Sequence, residues 1–161
     1  PDQEEALAAL AARYFNSRGP ATWQDCAWWS GLTTADARHG MEMVKSGLTK
    51  LEADNKEYWM PGNEPASAGK VPVAHLLPAF DEFAVAYKDR TAIVKPEYLQ
   101  QARHVIFNPS IVINNQVAGT WKHIVNKNKT DVILKPFVTL NKTHAKAVEA
   151  AATQYLKFVN K

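Results

Sequence analysis

The sequence predicts an α+β fold: a winged helix, meaning three helices followed by a β-hairpin wing, and then a mostly antiparallel β domain with a C-terminal helix. Apolar residues repeat with helical spacing in the first 45 residues and mainly with strand spacing after residue 75. A stretch rich in proline and glycine separates these two patterns. We therefore expect a winged-helix domain at 1–60, a linker at 61–74 and an antiparallel domain at 75–161.

The net charge also differs between the two parts. Residues 1–74 hold seven Lys and Arg against ten Asp and Glu, giving −3, whereas residues 75–161 hold twelve against six, giving +6. The basic part is the better candidate for binding a polyanion, although ordinary solubilising charge would give the same count.

Composition excludes several classes of protein. With 161 residues, of which 46% are hydrophobic, the chain can bury a genuine core. No apolar run approaches the roughly 18 residues that cross a bilayer, and the first residues do not have the pattern of a secretory signal. A single cysteine, Cys26, allows no internal disulfide and predicts a buried, small apolar side chain. We expect a cytoplasmic protein with no membrane partner.

Capping patterns place the first two helices. Leu7, Leu10 and Tyr14 follow one another at spacings of three and four, as on a helix with one buried stripe. Thr22 and Asp25 form a capping box, in which the hydroxyl accepts from a first-turn amide and the carboxylate reaches back. The second helix should therefore cover about residues 23–30.

A second capping pattern and a tight turn complete the winged helix. Gly31 suits the left-handed residue after a helix end, and Thr33 with Asp36 starts a third helix that runs to about residue 45. Two extended runs then flank Asp54 and Asn55, which tolerate the positive backbone angles of a hairpin turn. This hairpin would be the wing.

Beyond the linker, the pattern predicts four strands and two helices. The strands are expected at 83–87, 110–114, 117–125 and 131–138, with turns at 114–115 and 126–129. Pro96 can open a short helix, because its missing amide proton is not needed in the first turn. Asn141 can cap a long C-terminal helix with one apolar face, which should pack on the sheet.

Several runs of the sequence resemble one protein family. They are ARYFNSRGPATWQDCAWWSGLTTADAR, LLPAFDEFAVAYKDR, VAGTWKH, PFVTLN and AAATQYLKFV. In this order they are similar to the C-terminal half of the AlkZ-like winged-helix DNA-binding proteins. The resemblance implies tandem winged helices arranged around a cleft for duplex DNA. It also implies kinship with DNA glycosylases that excise alkylated or crosslinked bases by hydrolysing the bond between base and sugar, without a metal or a redox cofactor.

The resemblance carries no catalytic residue into this chain. The family's catalytic motif is Gln-apolar-Gln or Gln-apolar-Asp and belongs to an earlier part of the longer family members. No such triplet occurs here: Gln100 and Gln101 are adjacent, so their side chains diverge on a helix, and Gln116 and Gln154 stand alone. We expect no self-contained active site, and base excision would belong to a longer parent chain.

The third helix offers a balanced charge to any ligand. Its exposed polar positions are Asp36, Arg38, His39, Glu42 and Lys45. The wing is more acidic, with three carboxylates against two lysines, so neither surface gains much from counterion release on DNA. Two interpretations stay open. The favoured one is a scaffold or a docking surface. In the second case the protein would be a transcription-regulator-like or protein-interaction module whose winged helix docks a protein partner or a second copy of the chain. The other is major-groove reading by Arg38, His39 and Lys45.

The second domain carries a group of cations around its predicted hairpins. The candidate nucleic-acid-binding residues are Arg90, Lys122, His123, Lys127, Lys129 and Lys135. Cations on loops beside a rigid sheet can anchor phosphates of duplex DNA without reading its sequence. Solvated loop charge is the equally open alternative.

Catalytic and metal chemistry are poorly supported by the sequence. Asp81 and Glu82 are adjacent, so on a strand they would face opposite sides, and Asp89 beside Arg90 favours structural hydrogen bonds. The histidines, at 39, 75, 104, 123 and 144, have no spacing typical of metal ligands. We expect no cofactor and no metal.

Overall fold

The computed structural model describes residues 2–62, 73–127 and 129–160. The chain forms two units, one comprising Pro1–Ser67 with Val85–Asp89 and the other Ala68–Ala84 with Arg90–Lys161. Most of the predicted linker lies outside the described residues, so the predicted domain boundaries remain predictions.

The first unit contains three helices and a hairpin in the predicted order. They are α1 (Gln3–Arg18), α2 (Trp23–Ser30), α3 (Thr34–Val44), β1 (Leu48–Ala53) and β2 (Lys56–Pro61). A short 3-10 turn, Lys45–Gly47, joins α3 to β1. The strands pair antiparallel around Asp54 and Asn55, which both have positive φ angles as predicted.

Local hydrogen bonds explain where these helices begin and end. The Thr22 hydroxyl accepts from the Asp25 amide, and the Asp25 carboxylate accepts from the Thr22 amide, so the predicted capping box is confirmed. Gly31 ends α2 in the left-handed region at φ 72°. At the start of α3 the Thr33 hydroxyl accepts a hydrogen bond from the Asp36 amide. The Asp36 carboxylate, however, accepts from the Thr33 hydroxyl and not from the Thr33 amide.

An aromatic core holds the first unit together. Tyr14, Phe15, Cys26, Met41 and Trp59 are all buried in it. Helices α1 and α3 approach closely at Gly40, where a Cβ would lie 3.0 Å from the backbone oxygen of Leu7. The backbone of Ala21 exchanges two hydrogen bonds with that of Trp59, which fastens the entry to α2 against the hairpin.

The strand predicted at 83–87 does not form. A single-turn helix, α4 (Glu82–Val85), occupies its first residues. The apolar residues of this stretch suggested a sheet, but the backbone that follows is hydrogen-bonded by side chains. The Tyr14 hydroxyl donates to the Ala86 oxygen at 2.8 Å, and the Trp28 indole donates to the Val85 oxygen at 2.9 Å.

The second unit is an antiparallel sheet with helical layers. Its elements are β3 (Ala74–Leu77), a 3-10 turn (Pro96–Tyr98), β4 (Ser110–Ile113), β5 (Gln116–Asn126), β6 (Lys129–Pro136) and α5 (Lys142–Val159). The strands lie in the order β3-β4-β5-β6. Strand β3 was not predicted, because four residues are too few to show a clear alternation.

Two apolar clusters cover the faces of this sheet. On one face, Ile111, Trp121 and Val148 pack together, so α5 lies on the sheet as predicted. On the other face, Val112 and Val117 pack against the segment that follows the 3-10 turn. The helix predicted from Pro96 forms only that turn, and hydrogen-bonded turns continue from it to residue 107. Within the described ranges, no helix is both long enough and apolar enough to span a membrane.

Candidate functional site

The hairpin formed by β5 and β6 extends beyond the rest of its sheet. Strand β4 pairs with β5 only as far as Ser110 opposite Thr120, whereas β5 pairs with β6 as far as Asn126 opposite Lys129. We call residues 122–133 the hairpin arm. In the described part of the chain, the residues of the arm have ladder partners only within the arm. A two-stranded segment of this kind exposes both faces unless another element covers one of them.

The register separates the predicted cations by face. Lys122 lies opposite Ile133, Lys129 opposite Asn126, and Lys135 opposite Thr120. Because directly opposed residues point to the same face and neighbours along a strand alternate, all three lysines share the face away from α5. Lys122 and Lys135 are diagonal neighbours, a relation that places Cα atoms about 7–8 Å apart.

These lysines present mostly uncompensated charge. Lys122, Lys127 and Lys135 are exposed, and in the described part of the chain none of them contacts a carboxylate. Lys129 pairs with Asp131 at 3.2 Å across an exposed surface. The arm and its base thus hold four lysines and one aspartate, and Lys127 adds its charge at the turn with a positive φ.

His123 lies on the opposite face of the arm, where it contacts α5. Its Nδ1 is 2.9 Å from the Tyr155 hydroxyl, and the two rings are stacked with centroids 6.0 Å apart. Thr130, farther along the arm, donates its amide to Asn160 Oδ1 at 2.8 Å and accepts from Asn160 Nδ2 at 3.1 Å. His123 therefore contributes to holding the arm, and the structure separates it from the lysines with which it was grouped.

The cations of the third helix and the wing mostly face carboxylates. Lys45 bonds Glu42 at 3.2 Å, and the Nε2 of His39 is 3.5 Å from Glu4. On the wing, Lys50 contacts both Glu52 and Glu57. Lys56 is paired with Asp89. Arg38 is exposed and has no carboxylate partner among the described residues.

These ion pairs also shift the pKa values of charged side chains on the wing. The hydrogen bonds that Lys50 donates to Glu52 and then to Glu57 raise the pKa of Lys50, and the bond accepted from Lys50 lowers the pKa of Glu52. Asp89 raises the pKa of Lys56 in the same way. Lys50 and Lys56 on the wing are therefore paired with carboxylates, and a phosphate must displace a carboxylate to contact either lysine.

Arg90 was predicted to bind DNA together with the hairpin cations. In the structure it lines a groove of about 210 Å³. Its Nε donates to the backbone oxygen of Ala84 at 2.8 Å. Arg103 and Phe107 line the same groove. Arg90 therefore lies in this groove and not on the strands of the hairpin arm, although both belong to the second unit.

Asp25 has a contact that sequence reasoning missed. Besides capping α2, its Oδ1 accepts from the backbone amides of Lys88 at 2.8 Å and Asp89 at 3.3 Å. The capping pattern could be read from the spacing to Thr22, but no local signal indicates a partner 63 residues away. Asp25 and Asp89, with Lys56, line a groove of about 610 Å³ in the first unit.

The remaining titratable clusters support no metal site. In the described residues, no group of three or more His, Cys, Asp and Glu side chains is placed to hold an ion. Asp81 caps the start of α4 by accepting from the Phe83 amide, a structural role. Cys26 is fully buried, and burial, with the neighbouring Asp25, raises the pKa of its thiol to about 11, so it is not a nucleophile at neutral pH.

Comparisons with known proteins agree with the resemblance seen in the sequence. The chain matches the family model described as DNA glycosylase AlkZ-like over residues 1–158. Its structure is similar to that of the Streptomyces sahachiroi DNA glycosylase AlkZ, with a TM-score of 0.74 and 21% sequence identity. This similarity covers 95% of the present chain and 43% of the other, and at this identity it shows the fold alone. No curated protein sequence matches the chain.

Proposed function

Because this chain belongs to the AlkZ-like DNA glycosylase family, we propose that it binds duplex DNA through the sugar-phosphate backbone and that the β5–β6 hairpin makes the principal contacts. In this proposal the chain is a DNA-binding region of a DNA glycosylase. The proposal concerns DNA binding alone, and it assigns the hydrolysis of the bond between base and sugar to no residue of this chain.

One observation carries the proposal: the hairpin presents lysines with few carboxylates, whereas the third helix presents ion pairs. Lys122, Lys127 and Lys135 can release DNA counterions without first breaking a salt bridge. Lys45 and Lys50 cannot, because each already contacts a carboxylate. Phosphate contacts of this kind position a duplex and contribute affinity, but they carry no sequence information.

The face geometry supports the same conclusion. Lys122, Lys129 and Lys135 share one side of a two-stranded arm, so all three can meet the same polyanion. The arm is attached to α5 through Tyr155 and Asn160, which reduces the freedom that its lysines would lose on binding. We accordingly assign the first unit the role of a scaffold.

A salt titration tests the proposal. Each lost phosphate contact should reduce the slope of log affinity against log salt by about 0.9. Lys122→Ala combined with Lys127→Ala should therefore weaken duplex binding and flatten that slope by about 1.8. The measurement is fluorescence anisotropy with a labelled duplex at several salt concentrations.

The matched control is Lys142→Ala combined with Lys146→Ala on α5, which removes the same charge from the same unit. Its slope should stay near that of the unaltered protein. If the control flattens the slope as much as the hairpin variant does, general charge rather than the hairpin governs binding. Absence of duplex affinity at low salt would contradict DNA binding itself.

A second candidate function is a protein-docking module. The ion pairs of α3 and the wing favour it, because Glu42, Glu52 and Glu57 neutralise the lysines that DNA would need. The exposed Leu51 on β1 adds apolar surface to the opposite face of the same hairpin. In this alternative the first unit docks a protein partner or a second copy of the chain, and the protein has no measurable affinity for DNA.

A further inference from the structure

Two exposed aromatic rings form a patch in the second unit. Both residues precede the hairpin arm in the sequence. The side chain of Phe80 is 64% exposed and that of Phe107 is 61% exposed. Their ring centroids are 5.5 Å apart, and the planes meet at 86°, an edge-to-face contact. Single exposed apolar residues are ordinary, but two that contact each other and stay exposed form a surface available to a ligand.

The backbone at Phe80 is held in a conformation that its side chain disfavours. Its φ angle is 60°, in the left-handed region where a residue with a Cβ is strained. The Phe80 amide donates to the Ile106 oxygen at 2.7 Å, which joins this residue to the segment that carries Phe107. Because most of the ring remains exposed, burial gives little compensation for the strain. Backbone strain of this kind concentrates at binding sites.

A groove beside Phe107 has the charge of an anion-binding site. Its volume is about 210 Å³, and its lining includes Leu99, Arg103 and Phe107. The described lining residues include two arginines and no carboxylate. Arg103 is exposed and contacts no carboxylate among the described residues, and residues 98–108 include no Asp or Glu.

The two carboxylates that follow Phe80 in the sequence lie outside the groove. Asp81 follows Phe80, but its Oδ1 accepts a hydrogen bond from the Phe83 amide at 2.9 Å, and neither Asp81 nor Glu82 lines the groove. The ring centroid of His104 is 6.5 Å from that of Phe107. The site therefore combines aromatic faces with cations and hydrogen-bonding side chains.

We propose that this site binds an unpaired nucleotide of a DNA strand, with the base stacked against Phe107 and the phosphate near Arg103. Aromatic rings stack on any base because every base has a π face, and a cation beside them suits the backbone. A fully paired base is unavailable, since its faces are covered by its neighbours in the duplex. The proposal rests on the proposed function, because it takes DNA to be the polymer that the chain binds.

The ligand needs both a planar apolar group and a negative charge. A nucleotide has the two in one unit, and the exposed Leu99 and Phe107 can contact its base while Arg103 meets its phosphate. Phe80, in edge-to-face contact with Phe107, limits where the base can lie.

The test compares a short all-thymidine strand, which does not pair with itself, with a fully paired duplex. Phe107→Ala and Arg103→Gln should each lower the affinity for the thymidine strand, Phe107→Ala by roughly tenfold, and change duplex affinity less than twofold. Phe158→Ala is the matched control, because Phe158 on α5 is 73% exposed and lies outside the groove. Fluorescence anisotropy reports the affinities, and circular dichroism verifies that each variant is folded.

Phe80→Gly is a second variant that separates the ring from the backbone. Glycine adopts a positive φ without strain, so this substitution keeps the left-handed conformation while removing the ring. It should reduce strand affinity and leave the folded state intact. A 2-aminopurine base in the strand should lose fluorescence on binding the unaltered protein, and this loss should be smaller with Phe107→Ala.

The outcomes distinguish this proposal from the proposed function. If the protein binds the duplex but not the thymidine strand, or if Phe107→Ala weakens strand binding no more than Phe158→Ala does, the nucleotide site is wrong and duplex binding stands. If strand binding depends on Phe107 while no duplex is bound, the proposed function fails and the nucleotide site stands. Binding of neither DNA overturns both, and the exposed rings would then be a protein contact.

Discussion

Asp25 connects two parts of the chain that are distant in sequence. Its carboxylate accepts from the amide and hydroxyl of Thr22 and from the amides of Lys88 and Asp89, although only 3% of the residue is exposed. Buried carboxylates are tolerated when several donors replace the lost water. The same residue therefore starts α2 and fixes the segment Val85–Asp89.

Asp25→Ala should lower the free energy of unfolding by about 2–4 kcal/mol, because it removes a helix cap and leaves buried amides without an acceptor. Asp36→Ala is the control, since Asp36 occupies the corresponding position of α3 but has no bond to a distant segment in the described structure. That variant should lose about 1 kcal/mol. Urea denaturation measures both. Equal losses would mean that the bonds to Lys88 and Asp89 contribute nothing.

Two other buried side chains of this core are kept neutral by their surroundings. Burial and then the charge of Asp25 raise the pKa of the Tyr14 hydroxyl far above its usual value, so it remains a donor to Ala86. The same causes raise the pKa of the Cys26 thiol to about 11. Tyr14 and Cys26 therefore serve packing and hydrogen bonding at neutral pH, consistent with the apolar role predicted for Cys26.

At the scale of the element, the hairpin arm depends on α5 for its position. Its strands pair only with each other, and an isolated two-stranded hairpin is marginally stable in water. The hydrogen bonds between Asn160 and Thr130 and between Tyr155 and His123 attach two places along the arm to α5. The C-terminal helix thus has a second role beyond covering the sheet.

Asn160→Ala should increase the rate of amide hydrogen exchange within residues 122–133 and weaken duplex binding a few-fold, because the arm becomes less ordered before it binds. Losing the two bonds to Thr130 should reduce local stability by about 1–2 kcal/mol. Thr153→Ala is the control, since among the described residues the Thr153 hydroxyl bonds only the Glu149 oxygen of its own helix. Unchanged exchange in the arm with Asn160→Ala would show that α5 does not position it.

For the molecule as a whole, opposite net charges on its two parts decide which surface a polyanion meets. The chain carries +3 in total, but the acidic part contributes −3 and the basic part +6. The ion pairs of the first unit then reduce the number of cations available there, whereas the hairpin lysines stay available. A duplex should therefore be held by the second unit, whatever the orientation of the first.

Light scattering separates the two candidate functions. If the first unit acts as a scaffold, the protein should have the mass of a monomer at micromolar concentration and should shift to a larger complex only when duplex DNA is added. If that unit docks a second copy, the protein should already be a dimer without DNA. A stable dimer that has no DNA affinity would contradict the proposed function and favour the docking module.

Local chemistry made most of the fold predictable. The capping box at Thr22 and Asp25, the left-handed Gly31 and the paired residues of the hairpin turns act over a few residues, and the structure contains each of them. Stretches without such signals were predicted poorly. The short strand β3 was missed, and the segment after α4 was taken for a strand because its partners lie in helices far away in sequence.

The sequence by itself determined the family, the order of the elements and the set of cations from which any DNA contact must be chosen, because capping, turn chemistry and net charge depend on residue type and short spacing. Only the tertiary structure decided which cations are available. It paired Lys45, Lys50 and Lys56 with carboxylates, turned His123 toward Tyr155 and left Lys122, Lys127 and Lys135 exposed. The pairs of Lys45 with Glu42 and of Lys50 with Glu52 are close in sequence, but the other differences arise from strand register and long-range packing, which residue spacing along the chain does not encode.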